Sequence, residues 1–367
     1  MRRMLELLES RVSSRTTWHF VVLTEGEHRA VGECSDSGDS RGLVRRLDWV
    51  AAVLRGRDLI ADRDAVIAEL EQRVGQEHPR EAFITATLMG GLEQLLTDHA
   101  ARTAEEPAWK WLGGSTPDPV PVYANINRMP GGRSAFEVAA MAEAAVAAGF
   151  TALKCGPFDV DEPGRPLSKV GLERLRAVRD AVGDETRLHV DCHERLPLDE
   201  VHALLPALEE LGVAWLEDAV AIDQVTELAE LKAATEIPLA GGETMFDAAE
   251  ARGAVTDGVI DVLMPDVKHA GGIEHVLRIA RSVPHLAISP HNPSGPVATA
   301  ASAQLFAACS NATVLEYAFG ETTWRSDLVG GCELVADGRL QLDDRPGLGV
   351  DFDLSHPSLR VLWSALV

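Results

Sequence analysis

The chain has 367 residues, 46% hydrophobic and 25% charged, an ordinary balance for a globular protein but more length than one ordinary core needs. With 34 basic against 57 acidic residues the net charge is −23, which repels a phosphate backbone and argues against nucleic acid as a partner. No apolar run approaches the roughly 20 residues needed to cross a bilayer, so no membrane partner is expected.

The first residues, through Thr17, put acidic side chains where a secretory leader needs its apolar centre. Cys34, Cys155, Cys192, Cys309 and Cys332 form no CxxC pair and read as reduced thiols, so a cytoplasmic location is expected. Thr17–Leu23 reads as a strand, Gly26-Glu27 as a turn and Ala30–Cys34 as the returning strand. Ser35–Gly42 is polar and rich in Gly and Ser, which predicts a mobile loop, and helical patterns fill 43–112. Residues 1–118 are therefore expected to be an α+β unit.

From Pro119 short apolar runs alternate with helical stretches. The runs are Val120–Asn125, Thr151–Lys154, Arg187–Asp191, Val213–Glu217, Ile237–Gly241, Val259–Pro265, His285–Ser289 and Ala312–Tyr317. Helices are expected at 134–148, 168–182, 198–211, 224–235, 246–253, 272–282 and 296–309. Parallel strands need a crossover, and eight of them suggest a closed barrel, here of (β/α)7β form over 119–324. An open doubly wound sheet is the alternative, but no G-x-G-x-x-G follows an early strand. Residues 325–367 read as strands, turns and a short terminal segment.

In such a barrel, chemistry sits at the C-terminal ends of the strands. The third to eighth runs end at or beside Asp191, Glu217, Glu243, Asp266, His291 and Glu316, spaced by 26, 26, 23, 25 and 25 residues. A near-constant step delivers one ionisable group per strand to the same rim. Three converging carboxylates, Asp191, Glu217 and Glu243, would repel one another unless a hard divalent cation answers them, and all-oxygen ligation suits Mg²⁺. Asp266 and His291 fit an oriented general base. His193 shares the face of Asp191 and reads either as a second acid or base or as a loop histidine bonded to backbone. Lys154 reads as a stabiliser of a substrate oxygen, an opposing base, or an ion-pair partner of Asp191 or Glu217. Glu316 reads as a hydrogen-bond partner for a developing enediolate or as a structural residue.

These residues carry a likeness. Val190–His193, Trp215–Asp218, Gly241–Thr244, Met264–Val267 with Ala270–Ile273, and Ser289–Ser302 resemble the mandelate racemase subgroup of the enolase superfamily, with the acid-sugar dehydratases, such as galactonate dehydratase, nearest in motifs. The resemblance implies an α+β capping domain whose specificity loops, Ser13–Trp18 and Ser35–Gly42, lie over the barrel mouth, with residues 325–367 returning to it. It implies Asp191, Glu217 and Glu243 as magnesium ligands, Asp266–His291 as the base, Glu316 as the carboxylate facing the reacting group and His193 as the general acid. The expected reaction is abstraction of an α-proton from a small carboxylate substrate and loss of water to a 2-keto-3-deoxy acid. The racemases' K-x-K stands here as Lys154-Cys155-Gly156, which weakens a two-base racemisation unless Lys154, His193 or Lys268 substitutes. The rivals are a racemase or epimerase of a hydroxy or amino acid, a cycloisomerase, a hydroxyproline-type dehydratase whose pocket Trp18 would shape, and a non-catalytic barrel. Barrels of this kind also suggest a homo-oligomer.

Overall fold

A computed structural model describes residues 3–115, 118–342 and 344–367. The chain opens with strands β1 (Arg3–Arg11), β2 (Thr17–Glu25) and β3 (His28–Glu33), then helices α1 (Ser40–Leu54), α2 (Arg63–Val74), α3 (Pro79–Thr103) and the short α4 (Ala108–Trp111). Strands and helices then alternate: β4 (Val120–Asn125), α5 (Ala135–Ala147), β5 (Ala152–Cys155), α6 (Leu167–Val182), β6 (Arg187–Asp191), α7 (Leu198–Glu210), β7 (Val213–Glu217), α8 (Val225–Ala234), β8 (Leu239–Gly241), α9 (Arg252–Thr256), β9 (Val262–Leu263), α10 (Ile273–Ser282), β10 (Ala287–Ile288), α11 (Pro296–Phe306) and β11 (Leu315–Ala318). Three strands follow, β12 (Val335–Ala336), β13 (Arg339–Leu340) and β14 (Leu359–Leu366).

The parallel strands pair in chain order from β4 to β10, and β11 returns to pair with β4. The gap between β10 and β11 is bridged by Ile288, which donates to the Asn311 carbonyl and accepts from Thr313 N–H, both at 2.9 Å. The result is a closed barrel of eight strands with seven helices between them among the described residues. The expectation of a (β/α)7β barrel holds, with one local difference. A helix was expected at 246–253, but turns occupy that stretch and α9 begins at Arg252. Asp247 accepts from Ala249 N–H (2.6 Å) and Glu250 from Phe246 N–H (3.2 Å), local bonds that compete with a helical ladder.

Strand periodicity decides which residues face inward. Tyr123, Ala152, Trp215, Ala240, Val262 and Met264 pack together inside the barrel, and His189 stacks on Trp215 with ring centroids 3.5 Å apart. The intervening Ala124, Leu153, Val190, Leu216, Leu263, Ile288 and Leu315 point outward into the main core under the helices. Two residues beyond Tyr123, Ala152, His189 and Trp215, on the same inward face, come Asn125, Lys154, Asp191 and Glu217. An apolar and aromatic plug is thus the floor on which the polar layer stands.

The N-terminal strands form an antiparallel sheet in the order β14-β1-β2-β3, so the chain's last strand closes on its first. Strand β1, which carries buried Leu5, Leu7 and Leu8, lies in a segment with no strand expected from sequence. The segment expected as a mobile loop, Ser35–Gly42, is shorter and partly buried: α1 starts at Ser40, capped by Asp39, and the Ser35 hydroxyl binds Glu33 at 2.7 Å. Helix α3 packs so closely that a Cβ on Gly32 of β3 would lie 1.9 Å from the Gly91 carbonyl oxygen, and one on Gly90 would lie 2.0 Å from that of Lys268. Two buried carboxylates of this N-terminal region sit at the starts of barrel helices, where unpaired backbone N–H groups favour negative charge. Glu33 accepts from Gly295 N–H (2.7 Å) and Ala298 N–H (2.9 Å) at α11. Glu93, paired with Arg63 at 2.9 Å, accepts from Ile273 N–H (2.6 Å) at α10. No helix among the described residues is long and apolar enough to cross a membrane, and all five cysteines are free.

Candidate active site

A cavity of about 330 Å³ opens over the polar layer. Arg15, Thr16, Asp36 and Phe83 line it from the N-terminal side; Asn125, Lys154, Asp191, His193, Glu243 and His291 line it from the barrel. The loops at 13–18 and 35–42 do reach the mouth, through Arg15, Thr16 and Asp36. Trp18 does not: it is fully buried on β2 against Phe20 and Trp324, so it cannot shape the pocket wall.

Asp191 and Glu217 are neighbours in register at the ends of β6 and β7, and both are buried. Lys154 enters between them. Its Nζ lies 2.6 Å from Glu217 Oε1, 2.8 Å from Glu316 Oε1 and 3.2 Å from Asp191 Oδ2. Burial alone would lower the ammonium pKa, but the Glu217 and Glu316 carboxylates outweigh it and hold the pKa well above its ordinary value. For Glu217 burial and the charge of Asp191 push the carboxyl well above the usual range, while Asp191 is held low by Lys154 and His193 against its own burial. Trp215 Nε1 donates to Glu217 at 3.3 Å. Glu316 is the most fully bonded carboxylate of the set, accepting also from Asn125 Nδ2 (2.6 Å) and the Asn292 N–H (2.8 Å).

Glu243 follows the end of β8 and turns toward the seventh barrel strand, where its Oε2 lies 2.9 Å from His291 Nε2. His291 Nδ1 is 2.8 Å from Asp266 Oδ2, which also receives Lys268 Nζ at 2.6 Å. Burial opposes charge on the His291 ring, but Glu243, Glu316 and Asp266 outweigh it and raise the ring well above its ordinary pKa. For Asp266 the cost of burial is overcome by Lys268 and the neighbouring histidines, so it stays ionised far below the usual range. Lys268 is wholly buried beneath Asp266, on the same side as His291 and outside the cavity lining, so it does not face His291 across the cavity.

The structure therefore brings Asp191, Glu217, Lys154 and Glu316 into one cluster and Glu243, His291 and Asp266 into another on the same rim. Among the described residues no three His, Cys, Asp or Glu side chains converge closely enough to hold a metal ion, because Lys154 and His291 draw the three expected carboxylates in different directions. The donor chemistry nevertheless suits a hard cation. Asp191 Oδ2 and Glu243 Oε2 are buried without a well-aligned hydrogen bond among the described residues, despite the close charges of Lys154, His193 and His291.

His193 stands at the rim with about a third of its side chain exposed. Its Nδ1 is 2.6 Å from Asp159 Oδ1 and its Nε2 is 3.1 Å from Asp191 Oδ2. Burial disfavours the imidazolium, but the bonds to Asp159 and Asp191 outweigh it and lift the ring to about 11. The third barrel strand, which precedes His193, and the seventh, which precedes His291, lie four steps apart in a ring of eight and so face each other. Sequence reasoning missed Asp159, Asn125, Arg128 and Trp215. The first three lie outside the regular spacing of the strand-end groups. Trp215 was legible as the inward residue two before Glu217.

Residues 137–356 match the family described as Enolase C-terminal domain-like. Over 362 residues the chain is 28% identical to D-xylonate dehydratase of Haloferax volcanii, covering 94% of this chain and 85% of that protein. It is 30% identical to D-galactonate dehydratase of Ralstonia nicotianae over 332 residues, 83% of this chain and 85% of the relative. A crystal structure of an enolase from Agrobacterium radiobacter, holding sodium and L-malate with an ordered active site, superposes with a TM-score of 0.80 at 26% identity over 95% of this chain and 92% of its own. The closed barrel, the ionisable groups at its strand ends and these likenesses agree: the chain belongs to the enolase superfamily.

Proposed function

We propose that this protein is a magnesium-dependent hydro-lyase that dehydrates an acid sugar, an aldonate or aldarate, to a 2-keto-3-deoxy acid. The relatives named as dehydratases of D-xylonate and D-galactonate support the substrate class. The observation that carries the reading is the pair of histidines facing one cavity from opposite strands, His291 oriented by Asp266 and His193 bonded to Asp159 at the rim.

In this reading Asp191, Glu217 and Glu243 would hold the cation, and residues 1–118 with 325–367 cap the barrel of 119–324. Bound there, magnesium would supply positive charge where the substrate carboxylate gains negative charge. A carboxylate α-proton is a very weak acid, so the protein must answer that charge as it develops. Lys154 brings a buried ammonium to the site, and Glu316, fixed by Asn125 and Asn292, hydrogen-bonds the reacting group. Asp266 holds Nδ1 and aims Nε2 into the cavity, and once Glu243, now 2.9 Å from Nε2, is engaged by the cation instead, Nε2 would be the atom that takes the α-proton. The electrons of the broken C–H bond enter the carboxylate as an enediolate. They then return to expel the β-hydroxyl, which leaves as water with a proton from His193. The enol that remains tautomerises to the 2-keto acid.

The test is the partition between two signals on one substrate: α-hydrogen exchange in D₂O and keto-acid formation. His291→Asn is expected to lose both. His193→Asn is expected to lose keto acid while keeping exchange, because the enediolate forms but cannot shed its hydroxyl. Keto-acid formation at the wild-type rate in His193→Asn would overturn the assignment.

A further inference from the structure

We propose that Asp159 is a positioning residue that holds the His193 imidazole in the orientation needed to protonate the departing hydroxyl, an inference that rests on the dehydratase reading. His193 is not fixed by packing, since about a third of its side chain is exposed. The turn that carries it is unusual: His193 and Glu194 both have positive φ, +44° and +51°, a conformation that side chains other than glycine rarely adopt. Backbone bonds hold that turn, His193 N–H to Asp191 Oδ1 (3.1 Å) and Glu194 N–H to the Asp218 carbonyl (2.8 Å). They place the histidine's backbone, and the ring is oriented by its two carboxylate contacts, of which the one to Asp191 Oδ2 is the longer at 3.1 Å. The ring is fixed by Asp159, which comes from the loop after β5 and meets Nδ1 at 2.6 Å. With Nδ1–H donated to Asp159, the other nitrogen, Nε2, faces the cavity beside Asp191 Oδ2 (3.1 Å) and is the one whose proton would pass to substrate.

A second observation shows that room is kept for this contact. Gly156, one residue past β5, lies under the other carboxylate oxygen of Asp159. A Cβ at 156 would sit 2.6 Å from Asp159 Oδ2 and 3.0 Å from Asn127 Nδ2. Asn127 also accepts from the Gly156 N–H at 2.6 Å, which pins the backbone there. A side chain at 156 would press on that Asp159 oxygen and make it shift, so it would compete with the placement that gives the Asp159–His193 bond. The glycine at 156 thus serves the acid on the far wall of the cavity.

The experiment compares wild type, Asp159→Asn, His193→Asn, the double variant and Asp159→Glu, each with magnesium and an acid sugar that the wild type dehydrates. Asp159→Asn is expected to lower the dehydration rate about 100-fold, the scale of an ångström-level misplacement of a catalytic group, while α-hydrogen exchange in D₂O is unchanged. The double variant should be no slower than His193→Asn alone, because the two act as one unit, and Asp159→Glu should recover part of the rate. In ¹⁵N-histidine spectra, the His193 signal (assigned by its absence in His193→Asn) should report a strongly hydrogen-bonded Nδ1–H in wild type and loss of that bond in Asp159→Asn. Exchange and dehydration falling together would mark a purely structural role and overturn the proposal, as would additive losses in the double variant. If the wild type makes no keto acid from any acid sugar, the dehydratase reading fails; an unchanged ring spectrum in Asp159→Asn overturns the positioning role independently of that.

Discussion

Replacing Gly90 with alanine tests how closely the N-terminal region grips the catalytic loop. Gly90 lies inside α3, where alanine is the better helix former by about 1 kcal/mol, so propensity alone predicts stabilisation. The structure predicts the opposite sign. The new Cβ would lie 2.0 Å from the Lys268 carbonyl oxygen and 2.7 Å from its carbon, whereas ordinary contact begins at 3.4 Å, so backbone must move by about 1.4 Å. No flexible side-chain end is there to yield. Overpacking of this kind costs about 3 kcal/mol, which leaves a net loss of about 2 kcal/mol after the helical gain. The displaced segment contains Asp266, which orients His291, so the rate should fall about 100-fold as well. Gly75→Ala serves as control: its φ is −65° and a Cβ there would lie 3.8 Å from the Gln72 carbonyl oxygen and 3.9 Å from that of Glu71, ordinary contact distances. Urea unfolding and turnover measured on both variants decide the matter. A Gly90→Ala protein as stable and active as Gly75→Ala would refute the claimed contact.

Three further outcomes are expected. His291→Asn should lower α-hydrogen exchange by about 10²- to 10⁴-fold without loss of folding, read by NMR in D₂O and by circular dichroism. Chelation should abolish turnover, and Mg²⁺ should restore it to wild type but not to Asp191→Asn; turnover in excess chelator would contradict a metal-dependent reaction. His269, 5% exposed, is held neutral by burial with a pKa lowered to about 4. Its unfolded value is higher, so its contribution is complete above about pH 6.5 and is lost as pH falls, by about 2 kcal/mol at pH 5. Urea unfolding at pH 7 and 5 should show wild type losing about 2 kcal/mol more than His269→Gln over that interval, and equal losses in the two proteins would refute it.

The barrel was legible because each of its strands is a short apolar run buried on both faces, and each βα unit spends a near-constant number of residues. That same spacing marks Asp191, Glu217, Glu243, Asp266, His291 and Glu316 at the rim. Strand β1 was harder to read. On one side it pairs with β14, Met4 to Leu366 across nearly the whole chain, and on the other with β2 through a turn at 12–16 that contains no glycine or proline to announce it. Trp18 misled because sequence shows no sign that β2 is covered on both sides; the neighbouring His19 is buried as well. The groups that hold the catalytic candidates in place were the least visible. Asp159 and Asn125 bond to residues 34 and 191 positions away, and Gly90 matters only through a backbone that approaches from a different part of the chain. Spacing along the sequence reveals what the strands deliver, while the supports arrive through loops with no period.

The central claim is loss of water after α-proton abstraction, and one measurement meets it directly. The wild-type enzyme with Mg²⁺ is incubated with a panel of aldonic and aldaric acids, and product is followed by semicarbazide trapping and ¹H NMR in D₂O. The account predicts a 2-keto-3-deoxy acid from at least one member of the panel. Exchange of the α-hydrogen with the β-hydroxyl retained throughout, and inversion at the α-carbon, would contradict it and identify an epimerase.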